Sequence, residues 1–373
     1  MVKKLQPKLR FRGFTDAWEP RRLKSLHRQP LLVSPIPSQT YISWSVPAFS
    51  TGEPEIVKGS EIESVKQSVN SSDVLLCRIN PRINRVWVVE ARKDTDLPMI
   101  ASTEWVVFTG HNSDSYFLSA LFTSSRFRNM LLSEVAGVTG SQKRFQIASV
   151  LERQEYFPTQ IEQARIGLLF AKVDNLIAAE KRKLQLIGMK KRLLLQRILS
   201  RKMRFVGFCD SWIQLKLDDA ICVCSGKDYK HLSKGNIPVY GTGGYMTSVS
   251  KALSNRDAIG IGRKGTIDKP YVLHAPFWTV DTLFYALPRN GYDLNFLFAV
   301  FQNINWKSKN ESTGLPSLSK KNIENTSIIT PSIDEQCRIG ELFSLFDSIL
   351  DETNQKIRLL EKKKKALLRD MFV

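Results

Sequence analysis

Arg78, Asn80, Arg82, Asn84 and Arg85 crowd into eight consecutive positions around Asn80-Pro81-Arg82-Ile83-Asn84. Arginine can donate two parallel hydrogen bonds to guanine, and asparagine can bond adenine in the same way. The chemistry these types support is recognition of base edges, not the making or breaking of bonds. A second concentration lies at Tyr240-Gly-Thr242-Gly-Gly244 and Gly260-Ile-Gly262-Arg263-Lys264-Gly265-Thr266. A β-turn in the latter segment presents Arg263 and Lys264 to phosphate or base. Tyr240 and Thr242 are candidate contacts beside them, as are the basic pairs Lys143-Arg144 and Lys320-Lys321. The competing readings stay open: a turn with structural Asn and Pro for the first segment, a Gly-rich hairpin with solvated charges for the second. Tyr229, Tyr240 and Tyr245 can stack on bases or pack internally.

Other chemistries fit poorly. Gly260-x-Gly262-x-x-Gly265 with Asp281 has the spacing of a dinucleotide fingerprint, but that fingerprint needs a helix directly after the glycines. Thr266-Ile-Asp-Lys-Pro270-Tyr-Val-Leu273 reads instead as a turn and a strand. His27, His111, His231 and His274 are scattered, and Cys222-x-Cys224 has no second pair, so no zinc site is expected. Asn80-Pro81 is followed by Arg-Ile, not by the Pro-aromatic pair of an amino-methyltransferase motif. No triad or carboxylate pair stands out. The expectation is a chain with no catalytic residue, metal or cofactor of its own.

Lys and Arg number 55 against 36 Asp and Glu, a formal charge of +19. Such an excess favours polyanions, nucleic acid first among them. An anionic membrane is the rival, but no run of about 18 apolar residues exists to span one. The start, Met1-Val-Lys-Lys-Leu5, has no signal-peptide character. Five scattered cysteines suit a reducing cytoplasm.

The elements that must position these residues occur twice. Lys8-x-Arg10-Phe11-x-Gly13-Phe14-x-Asp16-x-Trp18 returns 194 positions later as Lys202-x-Arg204-Phe205-x-Gly207-Phe208-x-Asp210-x-Trp212. Pro158-x-x-x-Glu162-Gln163-x-Arg165-Ile166-Gly167-x-Leu169-Phe170-x-x-x-Asp174 returns 173 positions later, from Pro331 to Asp347. Thr139-Gly140-Ser141 and Thr313-Gly314-Leu315 also correspond. Similar frames enclose dissimilar middles, so one scaffold presents two contact surfaces. In the first middle, Asp73–Ile79 and Arg85–Val89 read as strands, and Ser115 to Met130 as a helix.

Pro158 and Pro331 suit helix entries, where a missing N–H costs nothing. Each is followed by about forty residues without another proline, roughly 60 Å of helix. Leu169, Val173, Leu176, Leu184, Ile187 and Leu194 form one apolar seam, continued by Ile198. Leu342, Phe346, Ile349, Ile357, Leu360 and Leu367 form its match, continued by Met371. Both seams break at the same places, Glu180 with Thr353 and Lys191 with Lys364. Polar breaks can set register in a coiled coil. In an antiparallel pair Glu180 and Thr353 meet near the middle. The alternative is that each helix packs separately on its own domain. Basic flanks, Lys181 to Lys183, Lys190 to Arg192 and Lys362 to Lys365, form solvated faces or help attract DNA. The division is 1–157, a helix over 158–200, 201–330, and a second helix over 331–373.

The duplicated Pro-x-x-x-Glu-Gln-x-x-Ile at 158–166 and 331–339 carries a family resemblance. Tyr240-Gly-Thr-Gly-Gly, Gly262-Arg-Lys-Gly-Thr266 and Asn80-Pro-Arg-Ile-Asn-Arg85 extend it. The chain resembles type I restriction-modification specificity subunits over essentially its whole length. The resemblance implies an α+β fold with two tandem mixed α/β target-recognition domains. A pair of long antiparallel coiled-coil helices separates them in a pseudo-twofold repeat. It implies that each middle reads half of a bipartite double-stranded DNA site, and that the helices space the halves and dock two methyltransferase subunits. S-adenosylmethionine would belong to those subunits, and ATP and Mg²⁺ to separate motor-nuclease subunits. The first middle lacks the Tyr-Gly-Thr-Gly-Gly of the second, which leaves its contacts less defined. The rival classes are a stand-alone DNA methyltransferase or nuclease, and a regulatory DNA-binding scaffold.

Overall fold

The computed structural model describes residues 6–91, 95–136 and 143–372. Thr139-Gly140-Ser141 lies outside the described residues. The chain forms two compact units: 1–181 with 356–373, and 182–355. Each therefore takes the start of one long helix and the end of the other.

The first unit runs β1 (Glu19–Arg22), β2 (Leu32–Val33), β3 (Thr40–Trp44), β4 (Glu55–Lys58), β5 (Lys66–Ser68), β6 (Val74–Cys77), β7 (Val86–Val88), β8 (Met99–Ala101) and β9 (Trp105–Phe108). There follow α1 (Ser115–Thr123), α2 (Ser125–Ser133), β10 (Val135–Ala136), β11 (Arg144–Phe145), α3 (Ile147–Glu152), β12 (Gln154–Phe157) and the first part of α4 (Gln160–Leu199). Strands order as β2-β5-β8-β3-β4 in one sheet and β7-β6-β9 in another. β6 is apolar throughout because it is covered on both faces. Alternation sends Val74 and Leu76 toward the helices, and Leu75 and Cys77 toward Trp44 and Trp105. The single helix expected from Ser115 to Met130 is two. Ser124 ends α1 and caps α2, its Oγ accepting from the Phe127 N–H at 3.2 Å.

The second unit runs β13 (Ile213–Lys216), α5 (Leu217–Ala220), β14 (Ile221–Ser225), β15 (Lys234–Gly241), β16 (Gly244–Val249), β17 (Ala258–Gly262), β18 (Tyr271–Leu273), β19 (Trp278–Thr279) and β20 (Leu283–Pro288). α6 (Leu294–Asn303), α7 (Lys320–Glu324), β21 (Ser327–Thr330) and the first part of α8 (Ile333–Met371) complete it. Its sheets are β14-β20-β17-β18 and β16-β15-β19.

The repeated motifs are the clasps of each unit. Arg10 grips the buried Glu162 carboxylate with two 2.7 Å bonds. Arg204 grips Glu335 the same way at 3.0 and 2.6 Å, joined by the Trp212 indole N–H at 3.1 Å. Gln163 donates to the Pro158 carbonyl and accepts from the Asp114 N–H. Gln336 does so with Pro331 and Asp293. Asp114 and Asp293 cap α1 and α6, each accepting at 2.7 Å from the N–H three residues on. The glycine of the opening motif recurs because its turn needs φ of +95° at Gly13 and +96° at Gly207.

Gly340 lies against the α6 cap, where a Cβ would stand 2.2 Å from Asp293 Oδ1. Gly340→Ala is expected to destabilise the second unit by about 1–3 kcal/mol through overpacking. A thermal melt of the full chain checks this.

Within each unit the two helix segments run antiparallel. In the first, Asp174 pairs with Lys364 at 2.5 Å and Lys181 with Glu361 at 2.7 Å. In the second, Lys191 reaches Asp347 at 2.5 Å and Gln302 at 2.7 Å. Asp174–Lys364 and Asp347–Lys191 are the same pair in repeat register, which explains why both seams carry a lysine there. Glu180, expected to face Thr353, pairs with Lys356, while Thr353 donates its hydroxyl to the Ile349 carbonyl at 2.7 Å.

Most seam positions are buried or half-buried, including Leu169, Val173, Leu184, Ile187 and Leu194. So are Leu342, Phe346, Ile349, Ile357, Leu360 and Leu367. Leu176 is the correction. It is 51% exposed, and Ile177 takes the inward place at 8%. A straight helix of 3.6 residues per turn drifts from a strict 3.5 repeat, which moves burial one residue along. No helix among the described residues is long and apolar enough to cross a membrane.

Candidate nucleic-acid interface

The two divergent middles build the same turn from different residues. β6 ends at Cys77, after which the Arg78 N–H donates to the Glu104 carbonyl at 2.9 Å. The Arg78 carbonyl accepts from Phe145, Ile79 bridges Arg144, and the Asn80 N–H donates to Lys143 at 2.8 Å. β17 ends at Gly262, and the Arg263 N–H donates to Thr282 at 2.8 Å. The Arg263 carbonyl accepts from Leu318, Lys264 bridges Ser317, and the Gly265 N–H donates to Pro316 at 2.8 Å. Arg78 thus stands where Arg263 stands, and Glu104 where Thr282 stands. The third position has φ of +47° at Asn80 and +88° at Gly265. Asn and Gly are the types that tolerate this region, so the turn needs a residue class, not one identity. Gly262 is held to glycine for another reason, because a Cβ would lie 2.1 Å from the Thr266 carbonyl oxygen.

Each turn borders a cleft in its own unit. In the first unit a cavity of about 340 Å³ is lined by Asn80, Pro81, Arg82, Leu132, Val135 and Lys143. In the second, a cavity of about 420 Å³ is lined by Arg263, Lys264, Phe284, Glu311 and Lys320, among others. Arg82 is exposed, and its guanidinium has no ion-pair partner among the described residues. Lys264 is exposed in the same way. The Arg263 guanidinium lies 5.8 Å from the centre of the Phe284 ring and 3.4 Å from the Asp281 carbonyl.

Other candidates are engaged within the protein. Arg78 donates through Nε to Glu104 at 3.0 Å, and Arg144 binds both oxygens of that carboxylate, at 2.8 Å in its shortest bond. The Arg144 hydrogen bond, with help from Arg78, holds the Glu104 carboxyl below its ordinary pKa. The same contact raises Arg144 above its ordinary value. Asn84 turns inward and donates its amide to the Phe122 carbonyl at 2.8 Å. Arg85 bonds the Ile79 carbonyl at 3.3 Å and braces the turn from behind. Asn84 and Arg85 therefore shape the turn. Lys320 pairs with Glu324 at 3.4 Å. Lys321 is exposed on α7 and does not border the cleft.

The Tyr240-Gly-Thr-Gly-Gly element is the β15–β16 hairpin, with Gly241 paired to Gly244. Thr242 stands at its tip, Oγ1 3.9 Å from where a Gly265 side chain would begin. Tyr240 is half-buried between Tyr245 and Tyr271, while Tyr245 is exposed. The hairpin thus brings Thr242 to the Arg263-Lys264 turn, and Tyr240 supports it from inside.

Sequence reasoning missed Glu104 and Phe284. Neither belongs to a repeated motif, and Glu104 meets its arginines across 26 and 40 positions. The helix caps left a signal, Asp114-x-x-Phe-Leu118 against Asp293-x-x-Phe-Leu297, that comparison of the two middles can find.

Residues 217–362 match the family described as the type I restriction modification DNA specificity domain. The chain is 32% identical over 122 residues to the type I restriction enzyme MjaVIII specificity subunit of Methanocaldococcus jannaschii. That match spans 32% of this chain and 26% of the relative's length. The crystal structure of a type I restriction-modification system S subunit from M. genitalium superposes with a TM-score of 0.72, covering 99% of both chains at 16% identity. Residues 217–362 are thus similar to the type I restriction modification DNA specificity domain, and the whole chain shares the fold of the M. genitalium S subunit.

Proposed function

We propose that this chain is a non-catalytic reader of a bipartite double-stranded DNA site, each unit taking one half. The observation that carries this reading is the recurrence of one turn, Arg78-Ile-Asn80 and Arg263-Lys-Gly265, beside a cleft in each unit. A positive chain favours the phosphate backbone. Arginines and polar groups at the clefts supply the donors that distinguish bases. The differing cleft residues favour two different half-sites, hence an asymmetric target. The long helix pair spaces the halves and docks two methyltransferase subunits, with which motor-nuclease subunits assemble. S-adenosylmethionine, ATP and Mg²⁺ are used by those partners.

Methylome sequencing of a host expressing the chain with type I methyltransferase subunits tests this reading. A two-part motif is expected, with no methyl transfer by the chain alone. Arg82→Ala is expected to relax the first half-site, and Arg263→Ala with Lys264→Ala the second, each by about tenfold or more per lost base contact. Methylation by the isolated chain would revive the stand-alone enzyme. Equal weakening on all sequences would reduce these residues to phosphate contacts.

A further inference from the structure

We propose that Glu104 is a positioning residue for sequence discrimination, holding Arg78 as the guanine reader of the first half-site. This rests on the DNA-reading function above. Glu104 accepts from Arg78 only at Nε, 3.0 Å away. Both terminal nitrogens of Arg78 are left without a partner among the described residues. A guanidinium held at Nε cannot rotate freely about its last bonds, so its two terminal N–H groups form a fixed fork. A fixed fork matches O6 and N7 of guanine. Arg144 closes the other side of the carboxylate with its own bonds, which keeps Glu104 from swinging away. All three side chains are half-buried, between 23% and 40% exposed, so the arrangement is shielded but reachable.

The second unit supplies the contrast. Arg263 occupies the same place on the same turn, but Thr282 replaces Glu104. Among the described residues no carboxylate grips Arg263, which lies over Phe284. One arginine is braced at Nε by a carboxylate; its counterpart lies over a ring and bonds the Asp281 carbonyl. The two units thus hold the arginine of one turn in two ways, and the residue deciding between them is Glu104 or Thr282.

The experiment uses the full chain assembled with its methyltransferase subunits. Binding is measured on duplexes in which each base pair of the first half-site is changed in turn, across a salt series. Glu104→Gln is expected to lower discrimination at one G·C pair by about tenfold or more and leave the second half-site intact. Release of Arg78 toward phosphate is expected to steepen the salt dependence by about one unit of slope and to raise affinity for non-specific DNA. A merely structural role would not steepen that slope. Arg78→Lys keeps the charge, removes the fork, and is expected to lose discrimination at the same base pair, so the assignment stays testable if Glu104→Gln folds poorly. Unchanged discrimination in both variants, or uniform loss over the half-site with an unchanged slope, overturns the role of Glu104. A wild-type assembly that binds all sequences alike overturns the DNA-reading function itself.

Discussion

Arg10→Met is expected to destabilise the first unit by roughly 3–5 kcal/mol, because it strands the Glu162 carboxylate in a site with no solvent exposure. Two 2.7 Å bonds from Arg10 compensate that charge in the wild type. Methionine fills similar volume, so packing changes little and the loss reports the unpaired charge. A thermal melt should show this transition earlier by about 6–20 °C, at 2–4 °C per kcal/mol for a unit of this size. Adding Glu162→Met is expected to recover most of the loss, since replacing a whole buried pair with apolar groups is often near neutral. A single-variant loss under about 1 kcal/mol would show that the clasp is not what closes the unit onto its helix.

Seven residues inserted after Lys181 in α4, with seven more after Gln355 in α8, are expected to widen the preferred gap between half-sites by about two to three base pairs. The insertion adds about 10 Å of helix at 1.5 Å per residue, against about 3.4 Å per base pair. Seven is chosen because it preserves the phase of a seam with a 3.5 repeat. Both points lie at the boundary between the compact units, so the Asp174–Lys364 and Lys191–Asp347 pairs remain within theirs. The half-site sequences themselves are expected to stay the same. Methylome sequencing reads gap and half-sites together, and an unchanged gap would remove the spacing role from the helices.

The sequence alone determined the duplication, the two long helices and most of their seams, and the turns that carry Arg82 and Arg263. These were legible because local constraints demand residue types at set spacings. A buried Glu must follow a proline entry at one distance, a turn with φ near +95° asks for glycine, and a helix face repeats every three or four residues. Only the tertiary structure decided that Arg78 and Arg263 are counterparts, that Glu104 grips Arg78 and Arg144, that Asn84 and Arg85 turn inward, and that Ile177 displaces Leu176. Each of these depends on which strand or helix lies opposite. Contacts between residues 26 to 40 positions apart follow no period, so a single sequence carries no trace of them.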